Sequence, residues 1–151
     1  MKKLLKSASS FIIYHPWLWW MLNFTWGICM TLLGLIATLL MLPFSKPKRY
    51  CNCWFVEAGK RWGGLDLGCM FIICKEWNEQ TRQHEYGHTF QNAILGPFFI
   101  FIIAIPSATR YWIRHFQRKH GKSLKAYDAI WFESSATEIG ALATKAKEER
   151  K

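Results

Sequence analysis

Charged residues are absent from a long part of this chain, because no Lys, Arg, Asp or Glu occurs between Ser7 and Ser45. Within that part, the stretch MLNFTWGICMTLLGLIATLLMLPF stays apolar for longer than the roughly 20 residues that cross a bilayer. Tryptophans cluster at its start and aromatic residues follow its end, as at the two interfaces of a membrane. The sequence therefore predicts an N-terminal membrane anchor, residues 1–44, whose transmembrane helix runs from roughly Trp20 to Leu42.

A signal-peptide cleavage site is also missing. The start MKKLLK is typical of a signal peptide, but the apolar stretch is too long and no small-x-small site follows it. A buried core helix is the other alternative, and the remaining residues, about 107, could hardly enclose one. We therefore expect an uncleaved anchor with a single N-terminal span, the lipid bilayer as a partner, and a location in the bacterial cell membrane.

Acidic residues are scarce, with 10 Asp and Glu against 20 Lys and Arg, which gives a formal net charge of +10. No acid interrupts residues 110–125, where six bases alternate with aromatic residues. The six bases are Arg110, Arg114, Arg118, Lys119, Lys122 and Lys125. This pattern predicts a basic amphipathic helix lying on anionic lipid. No nucleic-acid motif accompanies it, so nucleic acid is not expected as a partner.

The side of the membrane is nearly undetermined, because three bases precede the apolar stretch and three follow it. The basic run at 110–125 favours the cytoplasmic side slightly.

The cysteines do not indicate a cofactor, since Cys51-Asn52-Cys53 lacks the C-x-x-C spacing of a zinc knuckle or a redox pair. Structural thiols are the preferred interpretation, and the sequence does not specify an oligomeric state.

After the anchor, residues 45–151 predict a small α+β domain that is mainly α. Two short strands, the second near Gly68 to Cys74, form a predicted β-hairpin around the turn Trp62-Gly63-Gly64. The next helix is expected to begin near Asn78, whose side chain can cap it, and to end at Leu95 before Gly96-Pro97. A last helix is predicted over roughly Ser123 to Lys147.

Between these two helices lies the apolar run LGPFFIFIIAIPSA. Only about 14 residues are strongly apolar, and Pro97 and Pro106 interrupt them, which favours a core or re-entrant helix over a second crossing. If the helices on both sides contribute to one site, residues 97–109 cannot cross the membrane once between them.

The motif H-E-x-x-H occupies the middle of the first of these helices, as His84, Glu85 and His88. Residues four apart share a helix face, so both imidazoles can hold one metal ion. Glu85 lies about 100° round the helix axis, where its carboxylate can take a proton from a water beside the metal. Gly87 is small enough to let another element approach closely. An exposed helix with unrelated histidines is the alternative.

A zinc site with two histidines needs a third protein ligand downstream. The candidates are His115, His120, Asp128, Glu133 and Glu138. Glu133 is favoured because it stands alone in the apolar stretch AIWFESSA, where a metal would compensate for its burial. Thr137, one turn later, can hydrogen-bond a ligating imidazole. Ala136 and Gly140 allow tight packing against the motif helix, whereas Glu138 points elsewhere.

The segments HEYGH and ESSATEIG together resemble the gluzincin class of zinc metallopeptidases, the thermolysin type. The resemblance implies that His84, His88 and Glu133 are zinc ligands and that Glu85 is the general base. Thr137 stands where that family has an aspartate supporting a histidine. The order of anchor, hairpin and two helices is also similar to small bacterial membrane proteins of unknown activity.

We therefore expect a membrane-anchored zinc-dependent metalloprotease that cleaves a peptide or protein substrate close to the membrane with a metal-activated water. The alternative is a non-catalytic membrane protein that binds metal or lipid. Tyr111, Tyr127 or His115 could stabilise the oxyanion, and nothing in the sequence selects among them.

Overall fold

The protein is an α+β structure, mainly helical, with one small sheet, in a computed structural model that describes residues 1–60, 62–76, 78–123, 126 and 129–150. The helices are α1 (Lys2–Tyr14), α2 (Pro16–Phe24), α3 (Ile28–Met41), α4 (Glu79–Leu95), α5 (Ile105–Lys119) and α6 (Trp131–Glu148). The strands are β1 (Lys48–Tyr50), β2 (Cys53–Glu57), β3 (Gly64–Leu67) and β4 (Met70–Ile73). A 3-10 turn (Gly96–Phe98) and a π-helical turn (Ile100–Ala104) connect α4 to α5.

The sheet has four strands in the order β1-β2-β4-β3. Strands β1 and β2 are antiparallel, β2 and β4 are parallel, and β4 and β3 are antiparallel. The predicted hairpin of two strands is therefore wrong in count and pairing. The stretch LDLGCMFII was expected to contain one strand, but Gly68 adopts φ +75° and reverses the chain between β3 and β4. This left-handed conformation is readily available to glycine, which has no Cβ.

Helices cover both faces of the sheet. On one face α3 approaches closely, because a Cβ at Gly34 would lie only 2.3 Å from the carbonyl oxygen of Leu67. On the other face Phe55 and Phe71 stack at 5.3 Å between ring centroids and join the main core. Tyr86 and Phe90 of α4 belong to the same core. The motif helix thus packs directly against the apolar face of the sheet.

Helices α4 and α6 pack with their backbones almost in contact. A Cβ added at Gly87 would lie 1.9 Å from the carbonyl oxygen of Ala136, and one added at Gly140 would lie 1.8 Å from that of Gln83. The predicted close approach at Gly87, Ala136 and Gly140 is confirmed. It brings α6 near enough for a side chain of ordinary length to reach the motif.

Substituting Gly87 with Ala is therefore expected to destabilise the fold. The new methyl group must displace backbone rather than a flexible side chain, and we expect a loss of about 1–3 kcal/mol in the free energy of unfolding. The urea midpoint of the purified protein measures it. Gly63→Ala is the matched control, because a Cβ at Gly63 has nothing within 4 Å. Equal midpoints for the two variants would contradict the close packing.

The predicted transmembrane helix from Trp20 to Leu42 is wrong as a single helix, because the chain breaks between α2 and α3. The amide of Gly27 bonds to Leu22 rather than to Asn23, which interrupts the α-helical hydrogen-bond pattern. Within the described residues, no single helix is long and apolar enough to cross a membrane. Two pairs reach that length and composition together, Pro16–Phe24 with Ile28–Met41, bent by 83°, and Glu79–Phe98 with Ile100–Lys119, bent by 116°.

The N-terminal helices pack against the rest of the protein. Trp19 of α2 is completely buried, and its indole N–H donates to Oγ1 of Thr89 at 3.0 Å. The ammonium groups of Lys2 and Lys6 lie 2.7 and 3.1 Å from the carboxylate of Glu138 on α6. The division into residues 1–44 and 45–151 stays a prediction.

The boundaries of the motif helix agree with the sequence. Oδ1 of Asn78 accepts a hydrogen bond from the amide of Thr81 at 3.4 Å, and α4 ends at Leu95. The last helix begins later than predicted, at Trp131 instead of Ser123, because Ile130 is extended with ψ 144°. The run 97–109 bends sharply away from α4, which allows α6 to return to the motif.

Candidate metal centre

Three side chains converge where α4 meets the first turn of α6. His84 and His88 project from one face of α4, and Glu133 faces them from α6. Oε2 of Glu133 lies 3.0 Å from Nε2 of His84 and 3.3 Å from Nε2 of His88. The two Nε2 atoms are 3.1 Å apart. His84, His88 and Glu133 form a group that could hold a metal ion, with their ligand atoms all within 4.8 Å of one another.

Hydrogen bonds on the far side of each imidazole fix its orientation. Nδ1 of His84 lies 2.9 Å from Oγ1 of Thr137, whose hydroxyl donates to the carbonyl of Glu133 at 3.2 Å. The Thr137 oxygen therefore accepts from a protonated Nδ1. The predicted supporting contact from Thr137 is confirmed.

His88 is held in the same tautomer by an amide. Its Nδ1 lies 2.7 Å from Oε1 of Gln91. The amide nitrogen of Gln91 donates to the carbonyl of Phe132 and to Oγ of Ser135, both at 2.8 Å, which fixes Oε1 as the atom facing His88. Nδ1 of His88 must then carry the proton, as in metal-ligating histidines supported from behind.

Both Nε2 atoms consequently direct lone pairs at the Glu133 carboxylate. Three electron-rich atoms within about 3 Å repel one another unless a cation lies among them. Glu133 itself is fully buried, with no accessible side-chain surface. A proton on one imidazole or a metal ion would supply the positive charge, and a 2-His, 1-carboxylate set suits a transition metal.

A residue on α5 completes the environment of Glu133. Oγ of Ser107 donates to Oε1 of Glu133 at 2.5 Å. Burial alone would raise the pKa of Glu133, but a proton on His84 or His88 and the hydrogen bond from Ser107 outweigh it and hold the pKa well below its usual range. The carboxyl group is thus kept ionised, which is the form that binds a metal.

Glu85 is wedged between the motif helix and the sheet. Glu85 is 5% exposed, and a Cβ added at Gly64 of β3 would lie 2.2 Å from its Oε1 atom. Burial raises the pKa of Glu85 to about 7, with His84 opposing the rise and Glu133 adding to it. A bound cation would favour the ionised form and lower this pKa.

The raised pKa of Glu85 predicts how the metal-free protein responds to pH. The folded carboxyl keeps its proton in a range where the unfolded chain has released it, so its contribution to stability falls as pH rises towards about 7. Relative to wild type, Glu85→Gln should therefore gain about 2 to 3 kcal/mol between pH 5 and pH 8. Urea unfolding in the presence of a chelator measures this difference, and equal differences at both pH values would contradict it.

The other candidates for the third ligand are not part of the cluster where the structure describes them. His115 lies on α5 near the rings of Tyr111 and Trp112, and His120 follows the same helix and is exposed. Glu138 forms its ion pairs with Lys2 and Lys6.

Asp128 and Tyr127 lie outside the described residues. Among the oxyanion candidates, His115 and Tyr111 have ring centroids 6.4 Å apart on α5. The choice among Tyr111, Tyr127 and His115 stays open.

Three residues of the site were missed by sequence reasoning. Gln91 could have been found, because it lies three residues after His88 on the same helix face. Gly64 was assigned to a turn, and its contact with Glu85 depends on the position of β3 in the sheet, which the sequence did not reveal. Ser107 gave no signal, since its contact with Glu133 depends on the bend between α4 and α5.

Comparisons with protein-family models, with curated proteins and with solved structures gave no match for this chain.

Proposed function

We propose that this protein is a zinc-dependent peptide hydrolase that works at a membrane. The observation that carries the proposal is the convergence of the two Nε2 lone pairs on the Glu133 carboxylate, with both Nδ1–H groups already bonded behind them. Zinc is favoured over harder ions because two of the three ligands are imidazoles. Three protein ligands leave a position for water or substrate, as in catalytic rather than structural zinc sites.

When bound, zinc would polarise a scissile carbonyl and lower the pKa of a water molecule to near neutrality. Glu85 is the base that takes a proton from the attacking water and delivers it to the leaving amine. Its position against Gly64 leaves the carboxylate little freedom to rotate away. Thr137 and Gln91 hold the imidazoles, while Ser107 keeps Glu133 ionised and oriented.

An extended peptide is the substrate that fits this arrangement. Strand β3 lies at one edge of the sheet. Within the described residues, its one pairing partner is β4. Gly64, its first residue, touches the Glu85 side chain. A peptide that paired with the free edge of β3 would be held by main-chain hydrogen bonds and would pass directly beside the base.

The membrane is proposed as the second partner. Large apolar side chains are exposed all along α2 and α3, and again on α5. A soluble monomer rarely exposes apolar surface on that scale. We propose that the site lies close to the membrane surface.

Hydrolysis of a peptide library in water enriched in oxygen-18 tests the catalytic proposal. The zinc-loaded protein in detergent should produce new carboxyl termini that carry the heavy isotope, detected by mass spectrometry. A chelator should stop the reaction and added zinc should restore it. If the zinc-loaded protein cuts no peptide bond, the alternative of a non-catalytic protein that binds metal and lipid is supported.

A further inference from the structure

Helix α3 has the reverse of the pattern of a water-facing helix. Of the four buried residues on its inward face only Met30 is large and apolar, whereas Thr31, Gly34 and Thr38, which pack on the sheet, are small or polar. Its outward face is entirely apolar, and the side chains there are Leu32, Leu33, Leu35, Ile36, Leu39 and Leu40, each at least 41% exposed. A surface helix in water has its apolar stripe facing the core instead. The exposed face of α3 therefore matches the hydrocarbon interior of a bilayer better than water.

The two bent helix pairs touch at their bends. The rings of Trp26, in the first bend, and Phe98, in the second, have centroids 6.2 Å apart. The indole N–H of Trp26 donates to the carbonyl of Ile94 at 3.3 Å, and a Cβ at Gly96 would lie 2.3 Å from that nitrogen. The bends are thus locked together into one structural unit.

Backbone carbonyls at the bends receive bonds from side chains. Nδ2 of Asn92 donates to the carbonyl of Gly27 at 3.3 Å. Oγ1 of Thr31 donates to the carbonyl of Asn23 at 2.9 Å, and Oγ1 of Thr25 to that of Met21 at 2.7 Å. In water such bonds are optional, but in lipid a helix break is tolerated only when neighbouring groups satisfy the freed backbone atoms.

Charges lie at the ends of the pairs that are far from the bends. The first pair ends before Lys46, Lys48 and Arg49, and its residues carry no charge. The second has no charge from Asn92 to Thr109, and the charges that follow on α5 are all cations, Arg110, Arg114, Arg118 and Lys119. Cations at this position match anionic lipid headgroups, while the aromatic bends match the apolar interior.

From these observations we propose that the two bends insert together into one leaflet of an anionic bilayer as a paired re-entrant wedge, with Trp26 and Phe98 at its deepest point. Neither pair crosses the membrane, because α6 is joined to α1, before the first pair, through Lys2, Lys6 and Glu138, and the sheet between the two pairs is joined to α6 through Tyr50 and Thr144. The inference rests on the proposed membrane partner and is independent of the zinc chemistry.

Depth measurements on the full-length protein test the wedge. The accessible cysteines Cys29 and Cys51 are replaced by Ser, since the other three are buried. A single spin label is then placed at Phe98, Leu40 or Lys145, and the protein is added to vesicles of phosphatidylcholine and phosphatidylglycerol. Oxygen should reach the label at 98 more easily than the one at 40, and a water-soluble relaxant should reach only the label at 145.

Flotation of the same vesicles tests membrane binding separately from insertion as a wedge. Phe98→Glu should reduce co-flotation at least tenfold, whereas Leu142→Glu on α6, the control for an exposed leucine, should not change it. If wild type does not float, the membrane partner itself is wrong. If it floats but the label at 98 is aqueous, or no deeper than the label at 40, the wedge alone is wrong. Labels at Lys46, which lies between the two pairs, and at Lys145 on opposite sides of sealed vesicles would also overturn it.

Discussion

Replacing Glu85 with Gln is expected to lower the rate of peptide hydrolysis by about 100- to 10,000-fold, the usual contribution of a general base. The zinc content should remain that of wild type. Glutamine has the same shape as glutamate, so it fills the space beside Gly64, but it cannot take a proton from water. Turnover and zinc content measured on the same preparation separate these two effects.

Glu79→Gln is the control for removing a carboxylate from the same helix. Glu79 lies at the exposed start of α4 and pairs with Arg82, so its replacement should leave turnover near that of wild type. If Glu85→Gln retains more than a tenth of wild-type activity, Glu85 is not the base. Loss of zinc together with activity would instead indicate that Glu85 holds the site together.

Replacing Glu133 with Gln is the second large effect. Structural zinc sites bind with about 10–16 kcal/mol through four ligands, so each ligand accounts for about 2.5 to 4 kcal/mol. We therefore expect zinc affinity to fall by about 100- to 1,000-fold. Competition against a zinc-binding dye of known affinity measures this change.

Glu138→Gln provides the matched control on the same helix, since that carboxylate pairs with Lys2 and Lys6 instead of facing the histidines. Its zinc affinity should equal that of wild type. If Glu133→Gln keeps full affinity, the third ligand is another residue, and the position of Glu133 opposite both imidazoles has a structural role only.

Local patterns in the sequence were sufficient to select the three side chains that converge and could hold a metal ion. His84 and His88 are one turn apart, and Glu133 is conspicuous in its apolar stretch, so each could be recognised without knowledge of the fold. The close packing of Gly87 against Ala136 was also predictable from a local pattern, because a small residue beside the motif lets another helix approach closely. Contacts that depend on the path of the chain, such as Ser107 with Glu133, could not be foreseen.

The predicted N-terminal transmembrane helix was wrong because apolar composition does not show where a helix bends. The stretch from Trp20 to Leu42 has the length and apolarity of a transmembrane helix, yet Asn23 and Gly27 sit where α2 and α3 diverge by 83°. Asn23 is completely buried, and its Oδ1 accepts from Asn92 at 2.8 Å, a partner 69 residues away. A sequence window cannot reveal a bend that is stabilised by so distant a residue.

The metal content of the purified protein tests the central claim most directly. Wild-type protein purified in detergent without added metal should contain close to one zinc ion per chain by mass spectrometry, and Glu133→Gln should contain far less. Wild-type protein that holds no zinc, even after incubation with the ion and removal of the excess, would contradict the proposed metal site and the hydrolase built on it.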